Sequence, residues 1–326
     1  MMSESLVNAQ LGIYIKEDNV KIIEVESSAT QQFRINKIVQ TQVDTPLNVA
    51  TICDEDKLIS IGNQLQQIIR SHNLNVQNVI FTLDSQFTII KKLPYDESLS
   101  EAELIDQVDW EVKEFSYSPN DEYIVDFYRL KPTSRRSSYE MIVVAIREQL
   151  VKNLRKMFSA TRIRVRVIDL DVFSATRAIE MNYDLRIGDI VALVEVQPTG
   201  LLFTIIEDKE YCLSQEVPLA RLKVETNSLD ALDQDEIAKF ISKELRRILL
   251  DNKLGEKVED INRIFLYGDM VKDDILENLQ NNYSIRIDRA NPFRRLLFAP
   301  NVSVDENIWS RPETFTVCVG SALRKK

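Results

Sequence analysis

The first residues suited to chemistry lie in LGIYIKEDNVKIIEV, Leu11 to Val25. An apolar strand ending at Ile15, a polar turn and a second strand from Val20 have the outline of a hairpin built to hold a phosphate. Lys16 and Lys21 could meet an anion as point charges. The turn, however, carries Lys16, Glu17 and Asp18. A backbone closing on an anion uses glycine there, so that successive amides converge with no Cβ in the way. The chain has seven glycines in 326 residues, against an average usage of roughly 7%, too few to build several such loops. Asp169 and Asp171, two apart, could share one face of a strand end as a metal or acid–base pair. A helix cap plus an exposed carboxylate is the simpler reading. His72 is the only histidine; it cannot join others in a zinc site and reads as a helix-terminal surface residue in SHNLN.

Composition narrows the partners. A net charge of -10 and a pI near 4.9 repel polyanions, and no basic block reverses this locally, so nucleic acid is excluded as a partner. Cys53, Cys212 and Cys318 are widely spaced and odd in number, as expected of reduced core thiols in the cytoplasm. No apolar run approaches the roughly 20 residues of a bilayer span, and MMSESLVNAQ lacks the basic start and apolar centre of a signal peptide. Direct membrane insertion is not expected, and any membrane link must run through a partner.

The elements that would position these residues occur twice. LGIYI, VKIIEV and FRINKIVQTQV read as three strands, followed by a helix over 57–70 with Leu58, Ile61, Leu65, Ile68 and Ile69 on one stripe, then a strand over 78–83. In the second half, 190–196, 201–206 and 211–217 read as strands. They precede a helix over 235–250, with Ile237, Phe240, Ile241, Leu245, Ile248 and Leu249 on its stripe, and a strand over 261–267. Strand, strand, strand, helix, strand in both halves predicts a mixed sheet with a meander and a helical crossover.

The segment between the halves, ending near Ile146, has no counterpart and reads as an inserted subdomain. A helix there opens with Ser100 and Glu103 at capping-box spacing. A turn at Ser118-Pro119, a strand over 122–130, a polar loop through Arg135 and Arg136, and a strand over 139–146 follow. On the helix, Leu104, Val108, Val112 and Phe115 form the apolar stripe, and Trp110 projects away from it. Such a tryptophan either packs between the insertion and the first domain, the preferred reading, or waits for a partner. Arg162, Arg164 and Arg166 alternate with aliphatics, as on an edge or domain-facing strand. Arg294 and Arg295 read as a solvated loop. Asp171 is placed as the cap of VFSATRAIEM, and FTVCVGSALRKK is expected to return to the first domain.

The order and spacing of several short motifs carry a family likeness. These are LGI…VK at Leu11 to Lys21, LSEAELIDQVDWEVKEF at Leu99 to Phe115, VIDLDVFSATRAIE at Val167 to Glu180, Val217-Pro218, NPF at Asn291 to Phe293, and VGSALR at Val319 to Arg324. Together they resemble the PilM family of type IV pilus assembly proteins, within the actin-like ATPase superfamily and related to FtsA. The resemblance covers nearly the whole chain from Leu11. It implies an α/β, duplicated RNase H-like fold. The first domain would take 9–83, 147–188 and 306–326, the inserted subdomain 84–146, and the second domain 189–305.

Against that family the nucleotide loops are altered. The acidic residue and glycine of its first hairpin fall on Tyr14 and Lys16. The Asp-hydrophobic-Gly turn of the second falls on Glu195, Val196 and Gln197, followed by Pro198, which has no amide to offer. The glycine triplet falls on Gly268, Asp269 and Met270. The expectation is a degenerate ATPase fold with no cofactor, no metal and no catalytic residue. Were ATP and Mg retained, Lys16, Lys21, Glu195 and Gly268 would hold them, and the alternative is then an active ATPase. The likeness further implies a cytoplasmic scaffold, peripheral to the inner membrane, in a type IV pilus or related secretion or envelope machine. It would bind the cytoplasmic segment of a PilN-like single-pass inner-membrane protein, with a secretion or pilus ATPase as a further partner and self-association compatible with the fold. Glu103, Trp110, Phe115 and Phe127 would line the peptide-facing wall. An adaptor akin to the type II secretion protein GspL is a rival reading.

Overall fold

The computed structural model describes residues 8–27, 32–116, 120–132, 139–159, 161–226, 233–300, 302 and 306–325. The chain divides into two compact units, one of Met1–Ser174, Leu296–Ser303 and Ser321–Lys326, the other of Ala175–Arg295 and Val304–Gly320. The division falls inside two helices, after Ser174 and after Gly320, whereas the expected domain limits fell in connections; residues 175–188 and most of 306–326 accordingly lie in the second unit.

In the first unit, β1 (Asn8–Ser27), β2 (Phe33–Leu47), α1 (Glu55–Ser71), β3 (Val79–Leu83), β4 (Thr88–Pro94), α2 (Glu101–Phe115), β5 (Tyr123–Arg129), β6 (Glu140–Arg147), α3 (Glu148–Ser159) and β7 (Val165–Leu170) follow in order. The expected first hairpin falls within one strand span, β1, whose two parts use different neighbours on either side of a bend at Glu17. Leu11–Tyr14 lies parallel to β3, and Asn19–Ser27 lies antiparallel to β2. Between them Glu17 is left-handed, with φ 52°, and the register slips. Asp54 caps α1 through the Lys57 amide, and Leu58, Ile61, Leu65 and Ile69 are buried, each worth about 1.5–3 kcal/mol. Gly62 on the same helix lets α3 approach, since a Cβ there would meet the Met157 carbonyl oxygen at 2.0 Å. β7 lies at the edge of the sheet, as its alternating arginines predict, although only Arg166 of the three falls within the strand.

The insertion is a three-stranded antiparallel sheet in the order β4, β6, β5. α2 covers one face, burying Leu104, Val108 and Val112 against Met141, Val143 and Ala145. The capping box at Ser100 and Glu103 is formed as expected. The turn at Ser118-Pro119 and the loop through Arg135 and Arg136 lie outside the described residues.

After α4 (Asp171–Asn182), the second unit runs β8 (Ile190–Val196), β9 (Gly200–Glu207), β10 (Glu210–Pro218), α5 (Leu219–Thr226), α6 (Gln234–Asp251), β11 (Arg263–Tyr267), α7 (Asp273–Asn282) and β12 (Arg286–Arg289). β13 (Leu297–Phe298) then joins β2 in the first unit, and α8 (Glu306–Ser310) and α9 (Thr316–Ala322) close the chain. The sheet order is β10, β9, β8, β11, β12. Counting the two parts of β1 separately, β2, β1, β1, β3, β7 repeats it. Every apolar residue expected on the α6 stripe is buried.

Candidate functional site

In the first unit, Lys16 reaches Asp84 at 3.4 Å, with both side chains largely covered. Asp84 also accepts from the Gln86 amide at 3.0 Å, so it is held in place from the chain that follows β3. The flanking turn is laced by side chains: Asn48 Nδ2 donates to Glu17 at 2.9 Å and Gln42 Nε2 to Asp18 at 3.2 Å. Lys21 is buried within β1. Asp169 and Asp171 are both buried, so the expected exposed carboxylate is not seen. Asp169 accepts from Arg324 at 2.6 Å and from Ser174 at 3.1 Å, which ties the returning C-terminal segment to β7. Asp171 accepts from the Ser85 and Val172 amides at 3.1 and 2.7 Å, joining α4 to the end of β3.

In the second unit, Glu195 and Gly268 come together. Gly268, at φ 102°, sits so close beneath β8 that a Cβ would meet the Val196 carbonyl oxygen at 2.8 Å and Glu195 Cγ at 2.9 Å. Its amide donates to the Glu313 carbonyl oxygen at 3.4 Å, and the Met270 amide to that of Val196 at 3.3 Å. The turn after β8 closes on itself, Gln197 N donating to Gly200 O at 3.0 Å. Gln197 Nε2 donates to Glu195 at 2.8 Å. Below this loop the fully buried Glu313 carboxylate receives Arg289 at 3.0 Å and Arg311 at 3.4 Å, and Arg311 also donates to the Asp269 carbonyl oxygen at 2.8 Å. Glu313 and its two arginines were not singled out from sequence; a glutamate one residue after a proline near the C-terminus gives no pattern that would reveal it.

The four residues expected on a partner-facing wall divide by environment. Glu103 is engaged in the capping box, and its bonds to Ser100 hold its carboxyl below the usual glutamate range. Phe115 and Phe127 pack against the insertion core, with Lys91 Nζ 5.5 Å from the Phe115 ring centre. Trp110 is 60% exposed, which overturns the reading that it packs between the insertion and the first domain. Asp106 and Glu114, one turn to either side, share its helix face with Gln107 and Lys113.

Other expectations are corrected in detail. Arg294 lies over Tyr183 at 5.2 Å and Arg295 pairs with Asp184 at 2.5 Å, so this loop is bonded to the end of α4. Cys212 and Cys318 are buried free thiols, but Cys53 is exposed. His72 caps the end of α1 as expected. Among the described residues no group of three or more His, Cys, Asp or Glu is placed to hold a metal ion, and no helix is long and apolar enough to cross a membrane.

A five-stranded mixed sheet built twice, with loops at the ends of the central strands and an inserted α/β subdomain, defines a protein of the actin-like ATPase fold. Residues 12–227 match the family described as type IV pilus assembly protein PilM, and the chain belongs to that family. Among solved structures, the PilM-PilN type IV pilus biogenesis complex is similar over 97% of this chain and 98% of that one, at 17% identity and a TM-score of 0.76. A protein of actin-like ATPase fold from Bacteroides thetaiotaomicron VPI-5482 shares 11% identity over 87% of this chain and 91% of its own, with a TM-score of 0.49. The cytoplasmic domain of EpsL, an inner membrane component of the type II secretion system of Vibrio cholerae, shares 13% over 98% and 96%, with a TM-score of 0.45. No curated protein matches the sequence.

Proposed function

We propose that this PilM-family protein is an adaptor of the pilus assembly machine that works without ATP turnover and holds the cytoplasmic segment of a single-pass inner-membrane partner. The observation that carries this reading is the use of main-chain amides in the second unit. Gln197, Gly268 and Met270, which lie in the loops where the family offers amides to a nucleotide, donate to carbonyl oxygens of the protein itself. An anion would have to displace these bonds, each worth about 0.5–1.5 kcal/mol net, and would gain no amide from Pro198. In the first unit Lys16 is engaged by Asp84. These residues do not fit a triphosphate, and no chemical step is assigned to one. What the loops retain is mechanical: they fasten β8 and β11 to the chain around Glu313.

The partner side of the proposal is supported by the relative solved as a complex with PilN and by the insertion. α2 presents Trp110, exposed and of a residue type enriched at interface hot spots, on a polar face between Asp106 and Glu114. Peripheral attachment to the inner membrane follows through that partner. Two titrations test the proposal on the full chain. Mg-ATP at millimolar concentration is expected to give no heat, and micromolar binding would establish the active ATPase instead. A synthetic peptide of the partner's cytoplasmic segment is expected to bind, with Trp110→Glu weakening it at least ~10-fold, about 1.4 kcal/mol. Unchanged peptide affinity in a folded Trp110→Glu protein would remove α2 from the interface.

A further inference from the structure

We infer that the free edge of β5 is a strand-addition site for an extended, cationic segment of a partner protein. β5 ends the three-stranded sheet of the insertion. Just outside the strand, Glu148 N donates to Glu122 O and Leu130 N donates to Glu140 O, both at 2.8 Å. Both β5-side residues are even-numbered. In an antiparallel pair, residues bonded to the neighbour alternate with residues whose main chain faces away. The amides and carbonyls of Tyr123, Val125, Phe127 and Arg129 therefore point to the open side. The outward amide of Phe127 has turned to the side chain of its own neighbour, Asp126 Oδ1, at 2.9 Å.

Open edges invite pairing, and proteins blunt them with short strands, lysine, proline or bulges. The other described sheet edges are blunted in this way. β4 carries Lys91, Lys92 and Pro94. β7 slips register against β3 and carries Arg166. β10 slips between Tyr211 and Leu213 and ends on Pro218. β12 has four residues and β13 two, and β2, which β13 covers only at Arg34 and Ile35, carries Lys37 and Pro46. β5 has none of these devices: it pairs with β6 over seven residues in unbroken register, without lysine or proline. Its one cation, Arg129, is drawn back to Glu101 and lies over the Tyr95 ring at 5.9 Å.

Alternation puts Tyr123, Val125 and Phe127 against the core under α2 and leaves Ile124, 42% exposed, and Tyr128, 56% exposed, on the other face. An added strand would lay every second side chain beside these two. Charge selects the occupant. Residues 84–146 carry thirteen acidic and seven basic residues, with Glu122 and Asp126 exposed along the edge. A second copy of β5 would bring the same excess of carboxylates to the edge and no added cation, and like charges near one another destabilise a pair. The fitting occupant has apolar side chains alternating with lysine or arginine, bound through main-chain bonds with side-chain pockets giving selectivity. This inference does not rest on the adaptor reading.

The probe is a capped heptapeptide, Lys-Val-Lys-Val-Lys-Val-Lys, added to the full chain while amide hydrogen exchange is followed. Saturating peptide is expected to slow exchange at Val125 and Arg129 by at least ~10-fold. Its Glu-for-Lys counterpart and its backbone N-methylated form should leave both amides unchanged. Val125→Pro removes one outward amide without touching a bond to β6 and should weaken binding at least ~10-fold. Should that variant not fold, Ile124→Lys, at an exposed position, should weaken the cationic peptide through charge alone. No slowing by the cationic peptide overturns the proposal, as does equal slowing by the acidic one. Protection in peptide-free protein that rises with concentration alongside a dimer mass would assign the edge to a second copy instead.

Discussion

The loop at Lys16 in the first unit and the loop at Gln197 in the second occupy corresponding places in a repeated strand order, yet they are fastened by different chemistry. The first is held by side chains in partial contact with water, through Lys16 with Asp84, Asn48 with Glu17 and Gln42 with Asp18. The second is held by main-chain bonds over a buried carboxylate with two arginines. Duplication thus preserved the strand order and left each loop to find its own closure. Energetically the two should differ, because Asp84 is largely covered but holds one cation that keeps an edge to water and the other bonds of that turn are exposed, whereas the fully buried Glu313 leaves two arginines uncompensated when it is removed.

The largest effect is expected at Glu313. Glu313→Ala strips Arg289 and Arg311 of a fully buried partner, although Arg289 keeps Asp273 at 2.6 Å. A loss of about 3 kcal/mol is expected, at the low end for breaking a buried pair. Thermal unfolding should show the transition of the second unit falling by about 6–12 °C. A change below about 1 kcal/mol would mean that the arginines find water easily, and the contrast between the loops would vanish.

Gly268→Ala is expected to cost about 1–3 kcal/mol, from the left-handed backbone and the 2.8 Å approach to Val196 together. Denaturant titration reads it directly. Equal stability of the variant would show that β11 can shift away from β8, and the loop would then be adaptable and not fixed.

These costs also mark where the sequence was legible. Periodicity placed α1 and α6 and the strands of both meanders, because burial on one face leaves a repeating trace in residue type. The capping box was readable because Ser100 and Glu103 bond each other locally. What escaped depends on distant partners. β4 was missed because Lys91 and Lys92 interrupt its apolar run, and only the fold shows Lys91 laid over Phe115. β12 and α7, in a short polar stretch, gave too little periodicity to read. Asp169 looked like a surface carboxylate because Arg324, which neutralises it, lies 155 residues away. Trp110 was correctly seen to leave its helix's apolar stripe, but no local pattern could say whether a second surface covers it.

In the first unit the expected effects shrink. Asp84→Asn removes the charge that engages Lys16 and keeps an acceptor for the Gln86 amide at the start of the turn after β3. A loss of about 1–2 kcal/mol is expected in chemical denaturation, because Lys16 keeps an edge to water and the asparagine keeps the Gln86 bond, against about 3 kcal/mol at Glu313. A cost matching Glu313→Ala would show that burial, and not the type of bond, sets the strength of both loops.

The smallest expected change is also the sharpest test of the comparison. Glu17 sits at φ 52°, where a side chain carries a penalty of roughly 1–2 kcal/mol that glycine does not. Glu17→Gly relieves that strain but gives up the Asn48 bond and enlarges the freedom of the unfolded chain, by roughly 0.4–1 kcal/mol. These terms oppose each other, so net stability should move by less than about 0.5 kcal/mol. The substitution restores a small residue to the turn that raised the question of a nucleotide. If lack of glycine in this one loop were the barrier, the variant should gain measurable heat with Mg-ATP. The expectation is that it does not, because the amides of Gln197, Gly268 and Met270 stay bonded to the protein whatever residue 17 becomes.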